Sequence, residues 1–345
     1  MDLVVAGSNP VIHPKAPVAH LDRVTDFESV GSPFESGRAH TEKLAGAYTN
    51  MKKYLKSWAL VLSGGGARGL THIGILKGLE EAGFPEPSLL AGTSMGAIVG
   101  GLYACGMSAA ELARFAIEDF NIADYMDSFV FRINGPVGKV FQTGQMLASL
   151  AASTGIDPGN KLLELFQNLT GGKSFEETRI PFRCNAVDLF RGREAVFETG
   201  SVAKAMRASM SFPLFFEPFF YEGMCLVDGG IINNIPVSIP KALGYKHILA
   251  VNVNRFDVID AGALKNGPQI IYRSLESVLN ASRTDKISRA EMIMDATDKA
   301  TPFSFFRKKE FIELGEEMVR RNLDSLETFF RPRLGTFRKT LVCGL

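Results

Sequence analysis

Gly92-Thr93-Ser94-Met95-Gly96 has the form GxSxG, a serine held between two glycines. Where such a run joins a strand to a helix, the glycines permit a cramped turn that lifts the hydroxyl out at the top of the sheet. The helix behind it aims free amides and a positive dipole end at any negative charge that develops there. That is the chemistry of a nucleophile. A second glycine-rich turn, Gly64-Gly65-Gly66-Ala67-Arg68-Gly69, reads as an anion cradle of backbone amides, and the anion can be a transient oxyanion. Arg68 within it would fix the loop or attract a phosphate headgroup. The third feature is Asp228, which ends the apolar run Cys225-Leu226-Val227 and is followed at once by Gly229 and Gly230. An aspartate with an ordinary pKa of ~3.9 is ionised at neutral pH and can take a serine proton directly when held within hydrogen-bond reach. Asp188, also at a strand end, is the rival carboxylate.

These residues need elements to hold them. Ala59-Leu60-Val61-Leu62-Ser63 reads as a buried strand leading into the first glycine turn, and Leu70, Ile73, Leu76 and Leu79 follow with helical period. Ser88-Leu89-Leu90-Ala91 is a second such strand, and an apolar helix lies behind Ser94. Strand, turn, helix, repeated, predicts a parallel sheet with a right-handed crossover. Both turns then lie at the carboxyl ends of their strands and face one crevice. No histidine is placed as a base. His247 stands at the amino end of the strand Ile248-Leu249-Ala250-Val251, the opposite edge of the sheet, and His72 sits inside the first helix. Gly64-x-Gly66-x-x-Gly69 also fits the dinucleotide fingerprint, the competing class of function. That fingerprint wants an acid at the end of the second strand, where this chain has Ala91-Gly92-Thr93-Ser94. A phosphate-binding P-loop fails for want of a following GK[ST].

The rest of the chain divides into three. Residues 1–56 carry Pro10, Pro14, Pro17 and Pro33 without a clear period and read as an extension, mixed or poorly ordered. Residues 57–255 read as the catalytic domain. Within it, Ser108 with Glu111 three residues on marks a helix start, with helical period to about Tyr125. Residues 126–160 are long and irregular enough for a lid, with a helix over 145–152, or for a plain connection. A helix over 161–169, strands over 182–188 and 194–198, a helix over 201–209, an aromatic patch (Phe212, Phe215, Phe216, Phe219, Phe220), a helix over 237–243 and a strand over 247–252 follow. Residues 256–345 read as a mostly helical extension packed on that domain: helix 268–282, strand 291–295 and helix 309–329. The chain of 345 residues has a formal net charge of +1 and 46% hydrophobic residues, so nothing marks a nucleic-acid binder. Its four cysteines lack CxxC spacing and read as thiols in a reducing compartment, which predicts no metal, no cofactor and a cytoplasmic protein. Pro87 to Ala110 is free of charge and long enough to span a bilayer, yet its glycines and strand-turn pattern make it a buried strand and helix. The segment 329–339 mixes aromatic and basic residues, which reads as a frayed basic terminus or as peripheral contact with an anionic membrane. Oligomeric state is not legible.

GGGARGLTHIGILKGLE, GTSMGAIVGGLYACG, IPFRCNAVDL, MRASMSFPLFFEPF and LVDGGIINNIPV occur in this order and resemble the patatin-like phospholipase family in its bacterial form, over roughly residues 58–254. The resemblance implies a three-layer α/β/α fold with a mainly parallel central sheet. It also implies a serine–aspartate dyad that hydrolyses lipid acyl esters, of a phospholipid or lysophospholipid, without metal. Carried over, Ser94 is the nucleophile, Asp228 the proton acceptor and Gly64 to Gly69 the oxyanion loop, with the Met95 amide beside it. Gly92, Gly96, Gly229 and Gly230 are the turn glycines. A thioesterase or acyltransferase would use the same elbow. Met210 and Phe212 to Phe216 are bulkier than the family's usual pattern, and residues 1–56 have no counterpart in it.

Overall fold

The computed structural model describes residues 57–126, 154–155, 157–213, 215–254, 258–259, 262, 264, 267–281, 290–296, 302–331 and 341–344. Residues 1–56, the expected helix over 145–152 and most of the expected lid lie outside the described residues.

Strand β1 (Ala59–Leu62) passes through a 3-10 turn (Gly66–Leu70) into helix α1 (Thr71–Glu81). Strand β2 (Leu89–Thr93) leads into α2 (Met95–Ala104), so the predicted βαβα unit is present. The uncharged stretch from Pro87 is therefore a strand and a buried helix. Among the described residues no helix is long and apolar enough to cross a membrane. Helix α3 (Ala109–Arg114) starts at the expected capping box, in which Ser108 Oγ accepts from the Glu111 amide and the Glu111 carboxylate accepts from the Ser108 amide. The period beyond it resolves into a wider π turn (Phe115–Asp119) and a 3-10 turn (Ile122–Tyr125) rather than one helix.

Helix α4 (Asn160–Thr170) precedes strands β3 (Phe182–Asp188) and β4 (Arg193–Phe197). Helix α5 (Val202–Ser209), strands β5 (Phe219–Tyr221) and β6 (Met224–Asp228), and the short helices α6 (Gly230–Asn233) and α7 (Ser238–Ala242) follow. The chain continues through β7 (Ile248–Asn252), α8 (Gly267–Ala281), β8 (Met292–Asp295), α9 (Lys308–Arg321), α10 (Leu323–Phe330) and β9 (Leu341–Gly344). The expected helix over 309–329 is thus two helices that meet at Asn322.

The strand order is β5-β6-β3-β2-β1-β7-β8-β9, with β4 also paired to β3. Strands β1, β2, β3, β7, β8 and β9 pair in parallel, β4 and β6 run against them, and β5, antiparallel to β6, returns to their direction. The sheet is mixed, and its last two strands come from the segment read as mostly helical. Helices cover both faces. In β1, Leu60 and Leu62 enter the larger core with α1 and α2, whereas Ala59 and Val61 enter a smaller one with Ile235, Val237 and Ile239. Burial on both faces explains why β1 and β2 read as continuous apolar runs.

Helix α9 lies against α1 where two glycines face each other. A Cβ on Gly74 would stand 1.9 Å from the Ile312 carbonyl oxygen, and one on Gly315 would stand 2.2 Å from that of Thr71. Phe329 and Phe330 of α10 are buried against Trp58, with ring centroids 6.0 and 5.0 Å away. These two phenylalanines are core and do not face a membrane. Residues 332–339, the rest of that expected contact, lie outside the described residues.

Candidate active site

Ser94 is the single residue between β2 and α2. Its backbone has φ 53° and ψ −121°, a conformation that side-chain-bearing residues rarely adopt. The flanking glycines give the reason. A Cβ on Gly92 would lie 2.3 Å from the Gly96 carbonyl oxygen, and one on Gly96 would lie 2.2 Å from that of Leu62. The first turn of α2 is pressed directly onto β1 and β2, which leaves Ser94 no room for an ordinary strand-to-helix path. Its amide donates to Ser209 Oγ at 2.8 Å.

Asp228 reaches Ser94 because two strands share one edge of β3. Cys184 pairs with Gly92 on one side and Phe197 on the other. Ala186 pairs with Ala195 of β4 on one side and Asp228 on the other. Strands β2 and β6 therefore approach each other end to end along the same edge, one closing at Thr93 opposite Asn185 and the other at Asp228 opposite Ala186. The Asp228 strand is antiparallel, and only the shared edge brings its end to the serine. The carboxylate accepts a hydrogen bond from the Gly230 amide at 2.7 Å, and the Ser94 hydroxyl lies near enough to favour its ionised form. It is 3% exposed. Burial pushes its pKa up to about 6 against the opposing pull of the Ser94 hydroxyl and the Gly230 amide.

A layer of amides that sequence reasoning missed lies beneath this junction. The Thr93 hydroxyl shares its one proton between Asn185 Oδ1 at 2.7 Å and the Asn233 carbonyl at 3.0 Å. Asn185 Nδ2 donates to Glu194 and to that same carbonyl. Asn234 exchanges hydrogen bonds with Gly64, its carbonyl accepting from the Gly64 amide at 3.1 Å and its Nδ2 donating to the Gly64 carbonyl at 3.3 Å. Gly229 packs so tightly here that a Cβ would stand 2.5 Å from Asn185 atoms. A lone asparagine carries no spacing signal, and only the INN run after Asp228-Gly229-Gly230 marked the neighbourhood.

The glycine loop divides its labour. Gly64 gives its amide to Asn234, and Ala67 gives its amide to the Pro302 carbonyl at 2.7 Å. Those two expected anion donors are therefore already engaged. The Arg68 side chain is nearly buried, with its guanidinium on Asn254 Oδ1. Gly69 serves packing, since a Cβ there would lie 2.4 Å from Met95 Cγ. The amides of Gly65, Gly66 and Met95 have no acceptor among the described residues, and all three residues line the pocket that holds Ser94 and Asp228.

The histidines and the rival acid lie elsewhere. His72 is fully buried with its Nε2 on the Ser63 carbonyl at 2.8 Å, and burial lowers its pKa to about 4. His247 precedes β7 and its Nδ1 meets Glu291 at 2.6 Å. Asp188 is held by Arg191 at 2.6 Å, and that hydrogen bond keeps its pKa below the ordinary value. Among the described residues no group of three or more His, Cys, Asp or Glu side chains is arranged to hold a metal ion.

From Ser94 the pocket runs between helices and is walled by Ile73, Ile98, Leu102, Phe115, Leu165 and Phe212. Phe303, from the C-terminal segment, stacks on Phe215 with ring centroids 4.5 Å apart, and both rings line it. An apolar chain fits such walls, and the polar groups gather at the Ser94 end.

Residues 60–241 match the family model described as patatin-like phospholipase. Lysophospholipase nte1 of Emericella nidulans is 34% identical over 200 residues, covering 57% of this chain and 12% of that protein. Patatin-like phospholipase domain-containing protein 6 of Homo sapiens is 34% identical over 204 residues, covering 59% of this chain and 14% of that protein. Lysophospholipase NTE1 of Pyricularia oryzae is 33% identical over 245 residues, covering 69% and 15%. The chain thus spans only a small part of the length of these relatives.

Proposed function

The chain belongs to the patatin-like phospholipase family, and from that premise we propose that it is a lipid acyl hydrolase of the phospholipase A or lysophospholipase type. One observation carries the reading: a serine on a strained strand-to-helix turn and a buried carboxylate stand together at the head of an apolar pocket.

Asp228 takes the proton of Ser94 as the hydroxyl oxygen attacks the ester carbonyl carbon. The carbonyl's π pair moves to oxygen, and the amides of Gly65, Gly66 and Met95 hold that charge. Removing one such donor typically costs ~100- to 1,000-fold in turnover. Collapse of the intermediate breaks the ester bond, and the leaving alkoxide recovers the proton from Asp228. Water, deprotonated by the same carboxylate, then releases the fatty acid from Ser94. A pKa near 6 makes Asp228 a stronger base than an ordinary aspartate while leaving it mostly ionised at neutral pH. The apolar walls take the acyl chain, and the relatives named lysophospholipases support a substrate with a single chain. The reading includes a cytoplasmic protein that works at the periphery of a membrane.

Turnover of lysophosphatidylcholine by the wild type, Ser94→Ala and Asp228→Asn tests this, with products identified by mass spectrometry. The expected outcome is release of fatty acid by the wild type and a loss of about 1,000-fold or more in each variant. Preferential hydrolysis of an acyl-coenzyme A, or acyl transfer to an alcohol, would replace the phospholipase reading with a thioesterase or acyltransferase.

A further inference from the structure

The turn between β3 and β4 leaves Leu189 52% exposed and Phe190 66% exposed, and Phe220 of β5 is 65% exposed. Single apolar side chains on a surface need no explanation, but these three stand together. Leu189 donates its amide to the Cys225 carbonyl at 2.8 Å, Phe220 pairs with Cys225, and the Phe190 and Phe220 rings lie 6.3 Å apart. Two neighbouring hairpins therefore carry their aromatic residues side by side. The turn is fixed outward, because Asp188 Oδ1 accepts from the amides of both Phe190 and Cys225.

Their height along the sheet is set by register. Asp228 lies opposite Ala186, and Phe190 lies four residues further along the same strand and turn. That is on the order of 10 Å beyond the serine, at the same carboxyl edge of the parallel strands. Arg191 and Arg193 are exposed in that turn, and the Lys204 ammonium lies 5.0 Å from the Tyr221 ring centroid. Buried Asp188 is bonded to Arg191, Glu194 follows Arg193, and Glu222 stands at the tip of the second hairpin. Arg193 stands exposed beside the aromatic tip, in no ion pair among the described residues.

We propose that these two hairpins seat the protein on an anionic lipid surface. Leu189, Phe190 and Phe220 enter the boundary between headgroups and acyl chains, and Arg191 and Arg193 meet phosphates. The idea rests on the acyl-hydrolase reading, under which the substrate lies in such a surface. Three partly exposed side chains offer on the order of 300 Å² of apolar area, well short of the roughly 800 Å² per partner of a stable protein interface. A lipid surface sets no such minimum, since binding scales with the apolar area inserted plus the charge attraction.

The test is co-sedimentation of the full chain and of the double variant Phe190→Ser/Phe220→Ser with vesicles of phosphatidylcholine, alone or mixed with phosphatidylglycerol. The proposal expects the wild type to bind the mixed vesicles more strongly and the variant to bind about tenfold more weakly. A second variant, Arg193→Gln, should lose binding only to the mixed vesicles. Turnover of a short-chain ester in free solution should be unchanged in all of them, because none of these residues lines the pocket. Equal binding by wild type and double variant overturns the proposal, as does a wild type that does not bind vesicles. So does a shift in oligomeric state on sedimentation that accounts for the loss, which would make the partner a second copy. Vesicle binding without any ester hydrolysis by the wild type would instead sink the enzymatic reading and leave the docking surface standing.

Discussion

Asp228 should govern how this site responds to pH. Its carboxylate must be ionised to accept the Ser94 proton, and burial holds its pKa at about 6. The predicted profile of kcat/KM is a single acid limb that falls about tenfold per pH unit below that value. The same group has a cost in stability. Its folded pKa lies above its unfolded one, so its contribution to stability is full below about pH 4 and is lost as pH rises through about 6. Asp228→Asn removes that loss, and its predicted effect is a gain of about 2 to 3 kcal/mol at neutral pH that vanishes near pH 4. Urea unfolding at the two pH values reads it directly, and an unchanged midpoint at neutral pH would contradict it. His72 acts with the opposite sign. Its pKa is lowered to about 4, so the stability it lends is present above about 6.5 and is lost as pH falls through 4. The stability lent by His72 is therefore lost between about pH 6.5 and 4, over much of the range in which protonation of Asp228 lowers activity.

Among the elements, the strands and helices that hold Ser94 were legible because each is written in local terms. Two apolar runs end in glycine turns, and the helical period follows. The strand over 224–228 was legible as an apolar run, but its direction was not, since an apolar run reads alike from either end. The meeting of β2 and β6 on one edge of β3 is a property of register, which the sequence states only through the whole sheet. Strand β9 was missed for a related reason: an edge partner for β8 carries no strong signal of its own. The turns that carry Ser94 and Asp228, the proposed nucleophile and acid, are written in local glycine patterns. Asn185, Asn233 and Asn234 were not legible, because their roles come from contacts between distant segments. The packing of α9 on α1 was equally silent, yet it fixes the helix behind the glycine loop. Gly315→Ala is predicted to destabilise the protein by about 3 kcal/mol, the upper end of the overpacking range, because the opposing atom is the Thr71 backbone and cannot move aside. A urea midpoint equal to that of the wild type would contradict this.

At the scale of the whole molecule, the site is assembled from both ends of the described chain. The serine turn and the glycine loop come from its first part, and the acid arrives with β6. Pro302 and Phe303, beyond the region matched by the family model, hold the loop and wall the pocket. The C-terminal segment also supplies β8 and β9 to the sheet and Pro302 and Phe303 to the pocket lining. The central claim is that Ser94, activated by Asp228, carries the acyl group during turnover. It is tested most directly by incubating the full chain with a fluorophosphonate, a covalent mimic of the acylation step, and locating the adduct by tandem mass spectrometry. The account predicts one adduct, on Ser94, formed rapidly by the wild type and about 1,000-fold more slowly by Asp228→Asn. An adduct on another residue, or labelling of Asp228→Asn at the wild-type rate, would contradict it.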